Sequence, residues 1–226
     1  YVRRIAEIGT WFPEYAGLSI VRIIEMGFSS SFYPLVFKVN GIFLLFTVVI
    51  FIRAMQSKKN DLHLLISAIP ISVLLIFNVF SVFLKDYFPV IEHIKQALSK
   101  IGTGASISQL VSLVPDLILL IIICSILWSL FMSTEKREKF LFIIGILGIG
   151  FISRFVIAFS PTIWASVERT FIFFYGTIIY VTLVLTIDIV DASKQKVIEN
   201  AAIKYAVLLL LVLSFINNLY LITYRF

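Results

Sequence analysis

Two arginines flank a Ser-Pro turn in the second half of the chain, where they could serve anion chemistry. Arg154 lies inside an apolar run, and Arg169 follows the turn that begins at Ser160-Pro161. Serine caps a helix well and proline fits its first position, so a short helix should start here. A charge inside an apolar span is costly, and the helix N-terminus near Arg169 attracts anions. We predict that Arg154 and Arg169 bind a phosphate or pyrophosphate.

The two arginines also have a simpler interpretation. Arg154 could extend along the helix surface to the lipid headgroups, as long basic side chains do in membrane proteins. Arg169 could pair with Glu168 or Glu14. The sequence leaves both interpretations open.

Other side chains are weaker candidates for chemistry. Seven acids, each a possible general base but none part of a paired-acid motif, fall on the same predicted side of the membrane: Glu7, Glu14, Glu25, Asp86, Glu92, Asp116 and Glu168. Trp11 and Trp164 are candidates for stacking on a sugar ring, although an aromatic belt also explains them. The two histidines, His63 and His93, are expected on opposite sides, so we predict no metal site. No cofactor is indicated.

The composition predicts that lipid is the solvent of this chain. Hydrophobic residues make up 60% and charged residues 14% of the 226 positions, and the mean hydropathy is +1.04. These values exclude an ordinary soluble domain. The net charge of +6 does not indicate nucleic-acid binding, because the basic residues occupy short gaps between apolar runs.

Apolar runs long enough to cross a ~30 Å hydrocarbon core predict an all-α membrane protein with about six transmembrane helices and external interfacial helices. The spans fall near residues 35 to 54, 62 to 84, 115 to 132, 140 to 159, 168 to 190 and 203 to 223. Three basic connections lie on one side, which should be cytoplasmic. They contain Arg53, Lys58 and Lys59, then Lys136, Arg137 and Lys139, then Lys194 and Lys196.

This topology divides the chain into an external amphipathic segment at 1–34 and a six-helix transmembrane region at 35–226. The apolar residues of the first segment recur at helical spacing, which is typical of a helix on the outer leaflet. An external N-terminus without a signal peptide leads us to expect a piece of a longer polytopic protein. The location expected is a cell membrane, multi-pass, as in the bacterial cytoplasmic membrane.

Three glycines, Gly145, Gly148 and Gly150, lie within the fourth predicted span. They do not form a dinucleotide-binding turn, because no strand precedes them. Close packing of helices is the better explanation.

Two short patches resemble the bacterial polytopic GT-C glycosyltransferases, especially the O-antigen glucosyltransferase type and related uncharacterised membrane proteins. One patch is Gly9-Thr10-Trp11-Phe12-Pro13-Glu14-Tyr15, and the other joins Arg154, Ser160-Pro161 and Glu168-Arg169-Thr170. The resemblance implies a polyprenyl-phosphate sugar donor, an extracytoplasmic glycan acceptor and an inverting transfer assisted by an external carboxylate. It assigns the donor phosphate to Arg154 and Arg169 and leaves Glu14 as the nearest acid.

Two other functions remain open at this point. A transporter or flippase of a lipid-linked or small substrate would show broken helices and polar sites at mid-membrane depth, which the sequence does not display. A non-catalytic membrane assembly factor would explain the absence of paired acids. The glycosyltransferase is the function that we favour from the sequence.

Overall fold

The computed structural model describes Thr10 and residues 12–37, 40–57, 60–77, 113–161 and 169–193, and these residues are helical apart from short turns. Six α-helices occur among them: α1 (Ile20–Val36), α2 (Gly41–Ser57), α3 (Asp61–Leu75), α4 (Leu113–Ser133), α5 (Arg137–Phe155) and α6 (Ile172–Ser193). Three short 3-10 helices accompany them: η1 (Pro13–Gly17), η2 (Val156–Phe159) and η3 (Arg169–Phe171). The predicted all-α class is confirmed for the described residues.

Side-chain contacts show that the helices from α2 to α6 run alternately up and down. Asn40 Nδ2 donates to Tyr175 Oη at 3.0 Å where α2 and α6 begin, and Gln56 reaches the carbonyl of Ile189 where they end. Lys139, at the start of α5, forms an ion pair with Asp188 near the end of α6.

The bundle therefore has two distinct ends. We call the end that contains Arg154, Phe171 and Tyr175 the Arg154 end. The opposite end, with His63 and Ser133, is the His63 end. The basic connections that predict a cytoplasmic side adjoin the His63 end.

Three helical stretches are long and apolar enough to cross a membrane by themselves: Asp116–Ser133, Arg137–Phe159 and Ile172–Asp191. They correspond to the third, fourth and fifth predicted spans, and they indicate a membrane protein. The prediction of six spans is not confirmed. Of the second predicted span, 62–84, the structure describes α3 and residues 76–77, and residues 78–84 lie outside the described part of the chain. The sixth predicted span, 203–223, also lies outside it.

The first predicted span, 35 to 54, is wrong as a single helix. Helix α1 ends at Val36 and α2 begins at Gly41, and the two axes are bent by 81°. Asn40 caps α2, since its side-chain oxygen accepts the N–H of Phe43 at 3.0 Å. An asparagine cap satisfies a backbone donor that a new helix would otherwise leave unpaired, and Asn40 together with Lys38 interrupts the apolar run of the sequence. Together the two helices make at most one broken span.

Helix α1 lies across the Arg154 end of the bundle. Gly27 contacts the side chains of Phe155 and Ala158. Further along, Phe32 stacks on Phe151 with ring centroids 5.2 Å apart, and Phe37, just past the end of α1, packs against Phe77 beyond α3. The sequence predicts this segment on the outer leaflet; in the structure α1 is packed into the bundle as well as amphipathic, and its external position stays a prediction.

The bundle is apolar both inside and outside, as a membrane protein requires. Its buried hydroxyls, such as those of Ser129 and Thr182, donate to carbonyls one turn earlier in their own helices. Internal pairing of this kind removes the cost of placing a polar group in lipid. Large apolar side chains on the perimeter remain exposed, including Leu117, Phe142 and Phe173. Such a surface is stable against lipid and not against water.

Candidate functional site

Arg154 is a charged residue buried inside an apolar bundle. It occupies the last turn of α5, and it is only 1% exposed. Its guanidinium carbon lies 4.8 Å from the centre of the Phe171 ring. Two of its nitrogens, Nε and Nη1, are buried and have no hydrogen-bond partner among the described residues. The guanidinium therefore does not extend along the helix surface to the headgroups.

The contact with Phe171 does not offset the burial of Arg154. A desolvated cation–π contact stabilises by about 2 kcal/mol. Each buried donor without a partner costs about 1–3 kcal/mol, in addition to the cost of removing the charge from water. Among the described residues nothing offsets the rest of this cost, and an anion would supply both a counter-charge and acceptors. A phosphate does so, because a guanidinium presents its donors in a planar fork.

Close helix packing holds Arg154 in place. A Cβ added to Gly150, one turn before Arg154 on α5, would overlap Oγ1 of Thr177 on α6. A Cβ on Gly27 would meet Cβ of Ala158 at 2.8 Å. Both glycines thus allow backbones to approach. The prediction of close packing is confirmed for Gly150, whereas open space surrounds Gly145 and Gly148.

An apolar cavity begins one helical turn from Arg154. It has a volume of about 260 Å³. Phe151 lines it three residues before Arg154, and Phe174 lines it three residues after Phe171. Five helices contribute to the wall, which consists of Phe28, Phe32, Phe43, Phe46, Ile123, Ile126, Leu127, Ile144, Leu147, Gly148, Phe151, Phe174 and Ile178.

Helices α4 and α5 border the cavity, which is partly open among the described residues. These helices touch at the His63 end, where the rings of Phe131 and Phe140 are 5.4 Å apart. Nearer the Arg154 end, Leu127 is 39% exposed, and a Cβ built on Gly148 would meet no atom of another described element within 4 Å.

Two acids from the predicted set have described side chains at the Arg154 end. Glu25 on α1 forms an ion pair with Arg22. Asp116, in the first turn of α4, is near enough to interact electrostatically with both. Its Oδ1 is buried and accepts no hydrogen bond from the described residues. Of the two carboxylates, Glu25 thus has an ion-pair partner, whereas one oxygen of Asp116 is without a hydrogen bond among the described residues.

The other predicted site residues are only partly placed. Glu14 belongs to η1, which is anchored at the Arg154 end by the hydrogen bond from Tyr15 Oη to the carbonyl of Ala158, 3.1 Å long. Arg169 begins η3, immediately before Phe171. The side chains of Glu14 and Arg169, together with all of Trp11 and Trp164, lie outside the described part of the structure. Their predicted roles stay predictions.

A second polar cluster occupies the His63 end. His63 is buried, and its Nε2 lies 3.2 Å from Oγ of Ser133. Oγ of Ser67 lies 2.8 Å from Oγ of Ser129. These contacts join α3 to α4 and account for a histidine inside an apolar bundle.

Sequence reasoning did not identify Phe171 or the cavity. The signal was present as spacing: Phe151 precedes Arg154 by three residues, and Phe174 follows Phe171 by three, so each pair shares a helix face. The antiparallel pairing of α5 with α6, which brings the two pairs together, could not be read from either run separately.

Comparison with protein-family models, with curated proteins and with solved structures finds no significant match to this chain. The case for a function therefore rests on the chemistry of the Arg154 end.

Proposed function

We propose that this protein is a membrane glycosyltransferase that moves a sugar from a polyprenyl-phosphate donor to an extracytoplasmic glycan. The observation that carries the proposal is the buried guanidinium of Arg154, which has two nitrogens without partners among the described residues. It lies at the end of a helix long and apolar enough to span a membrane. In this proposal the Arg154 end faces the extracytoplasmic side.

The chemistry of the transfer would use three features of this end. Arg154, with Arg169 at the start of η3, binds the phosphate that leaves the sugar and stabilises its growing negative charge. A carboxylate accepts the proton of the attacking hydroxyl. Asp116 is the described acid at this end with a free oxygen, and Glu14 is the acid named by the family resemblance.

The positions of the charged residues favour this proposal over a transport site in the middle of the membrane. A relay or ion pathway needs ionisable groups at mid-depth. Within the described residues of α4, α5 and α6, the charged side chains are near helix ends: Asp116, Arg137, Glu138, Lys139, Arg154, Asp188 and Asp191. The competing hypothesis is a flippase that recognises the same lipid phosphate, and the experiment must distinguish the two.

The test is transfer of radiolabelled sugar from a polyprenyl-phosphate donor by the full chain in membranes. We expect Arg154→Ala and Arg169→Ala each to reduce transfer by at least about a hundredfold, the size of a lost electrostatic contact in a transition state. Asp116→Asn should lower the rate at saturating donor, because it removes a proton acceptor. Lys136→Ala, at the opposite end, is the matched control and should retain transfer.

Two results would oppose the proposal. Transfer that is unchanged in both arginine variants would show that Arg154 and Arg169 do not bind the donor phosphate. Donor binding without transfer to any glycan acceptor, together with movement of the lipid across the bilayer, would identify a flippase.

A further inference from the structure

We propose that the cavity beside Arg154 binds the first part of the donor's prenyl chain, and that the chain passes between α4 and α5 at Gly148. This inference rests on the proposed function, because it takes the lipid phosphate at Arg154 as the anchor. It adds a binding site for the prenyl chain, and it assigns to Gly148 the role of keeping the entrance open.

The first argument is the position of the cavity relative to the charge. Arg154 and Phe151 are three residues apart on α5, which corresponds to about 4.5 Å along the helix axis. Phe171 carries the guanidinium contact, and Phe174, one turn further, lines the cavity. A cation directly above an apolar pocket matches a ligand with an anionic head and an apolar tail.

The second argument is the polarity of the wall. All of the lining side chains are hydrocarbon, and Gly148 contributes only backbone. Water inside such a cavity would lack the two to four polar partners that it needs. The volume of about 260 Å³ is slightly below the range of roughly 300–1,000 Å³ for pockets that enclose whole small ligands. It therefore holds part of a chain, and the remainder must leave through an opening.

The third argument is the opening itself. Leu127 and Gly148 lie on the two helices that border it, α4 and α5. Leu127 is partly exposed, and a Cβ on Gly148 would meet open space. A chain lying in the bilayer can thus enter sideways without separating the helices that the structure describes here. A larger residue at position 148 would occupy the route.

The experiment uses farnesyl phosphate whose terminal isoprene unit carries a diazirine, with the full chain in membranes. After irradiation, we expect the labelled peptides to contain residues of the cavity wall, above all those around Leu127 and Gly148. Gly148→Leu should reduce labelling about tenfold or more, because its side chain replaces several buried methylenes of the ligand. Gly148→Ala, which fits the open space, should give a smaller decrease.

Gly145→Leu is the matched control. Gly145 lies one turn earlier on α5, is exposed, and also has open space around a built Cβ, but it does not line the cavity. Labelling should be retained in this variant. An excess of unlabelled farnesyl phosphate should displace the probe, and inorganic phosphate at the same concentration should not.

Three outcomes would overturn the inference: labelling outside the cavity wall in the wild type, labelling that is insensitive to both Gly148 substitutions, or displacement by inorganic phosphate as effective as by farnesyl phosphate. Better displacement by a straight-chain alkyl phosphate would also overturn it, since the occupant would then be bulk lipid. Sugar transfer separates the two proposals. Wall labelling without transfer contradicts only the enzyme, and transfer without Gly148-sensitive labelling contradicts only the chain site.

Discussion

Arg154 combines a large cost to stability with a position suited to anion binding. Its guanidinium is buried against Phe171, and two of its nitrogens find no acceptor among the described residues. Residues kept in such an environment are expected to act on a ligand, because an uncharged side chain of similar shape would fold better. Because the buried charge costs stability, replacing Arg154 should affect ligand binding and folding in opposite directions, so the two effects can be measured separately.

We predict that Arg154→Met leaves folding intact or stabilises it by roughly 1–4 kcal/mol, since it removes a buried charge while it keeps an unbranched side chain. Thermal unfolding in detergent measures this effect. Sugar transfer should be lost in the same variant. A fall in the unfolding temperature similar to that of a core truncation would contradict the prediction and would make Arg154 a structural residue. Arg154→Lys, which retains the charge, is the control.

At the scale of elements, the pairing of α5 with α6 sets the geometry of the site. The two helices approach most closely at Gly150 and Thr177. Phe151 and Phe174 then meet within the same interface, with ring centroids 6.4 Å apart. Any change that separates the helices would move Arg154 away from Phe171.

Gly150→Val is expected to destabilise the protein by about 1–3 kcal/mol, because its side chain would overlap Thr177 at a well-packed contact. The measurement is the unfolding temperature in detergent. Gly145→Val, on the open face of α5, should be nearly neutral and controls for the helix propensity of valine. Equal losses in the two variants would show that the close approach contributes nothing.

Asn40 lies directly before α2, on the α2 side of the break between α1 and α2. This residue caps α2 through Phe43 and donates to Tyr175 on α6. Asn40→Ala should cost about 1–2 kcal/mol, since caps of this type contribute about that much. Tyr175→Phe removes the hydroxyl that Asn40 contacts and leaves the cap, so it should cost less. If Asn40→Ala and Tyr175→Phe were equally stable, the cap on α2 would not be what stabilises the start of this helix.

On the scale of the whole molecule, the two ends differ in charge and in chemistry. The His63 end adjoins the basic connections and is closed by contacts such as the ion pair between Lys139 and Asp188. The Arg154 end carries α1, the buried arginine and Asp116. A lipid phosphate resides at the headgroup plane, so only a cation near the end of a span can reach it.

This asymmetry predicts an orientation. In a Cys124→Ser background, Ala16→Cys at the Arg154 end should react with an impermeant maleimide in intact cells. Glu135→Cys, in the connection between α4 and α5, should react only after permeabilisation. Both positions are exposed, which makes them a matched pair. The reverse pattern would invert the topology and would rule out an extracytoplasmic acceptor.

Much of the helical framework was predictable because lipid imposes one simple requirement. A segment in hydrocarbon must satisfy its own backbone, so long apolar runs become helices. The three spans around residues 116–133, 137–159 and 172–191 follow from this. The break at Asn40 was predictable in principle, because a cap residue interrupts the run, but hydropathy alone does not detect it.

The sequence by itself determined that the chain is apolar and helical, and that Arg154 is a charge placed where it is costly. Only the tertiary structure decided what surrounds that charge, since its contact with Phe171 joins residues from α5 and η3. The cavity likewise exists only where five helices fail to fill the space between them. Hydropathy is a property of each segment, whereas an apolar cavity and a guanidinium buried without an acceptor among the described residues are properties of how segments fit together.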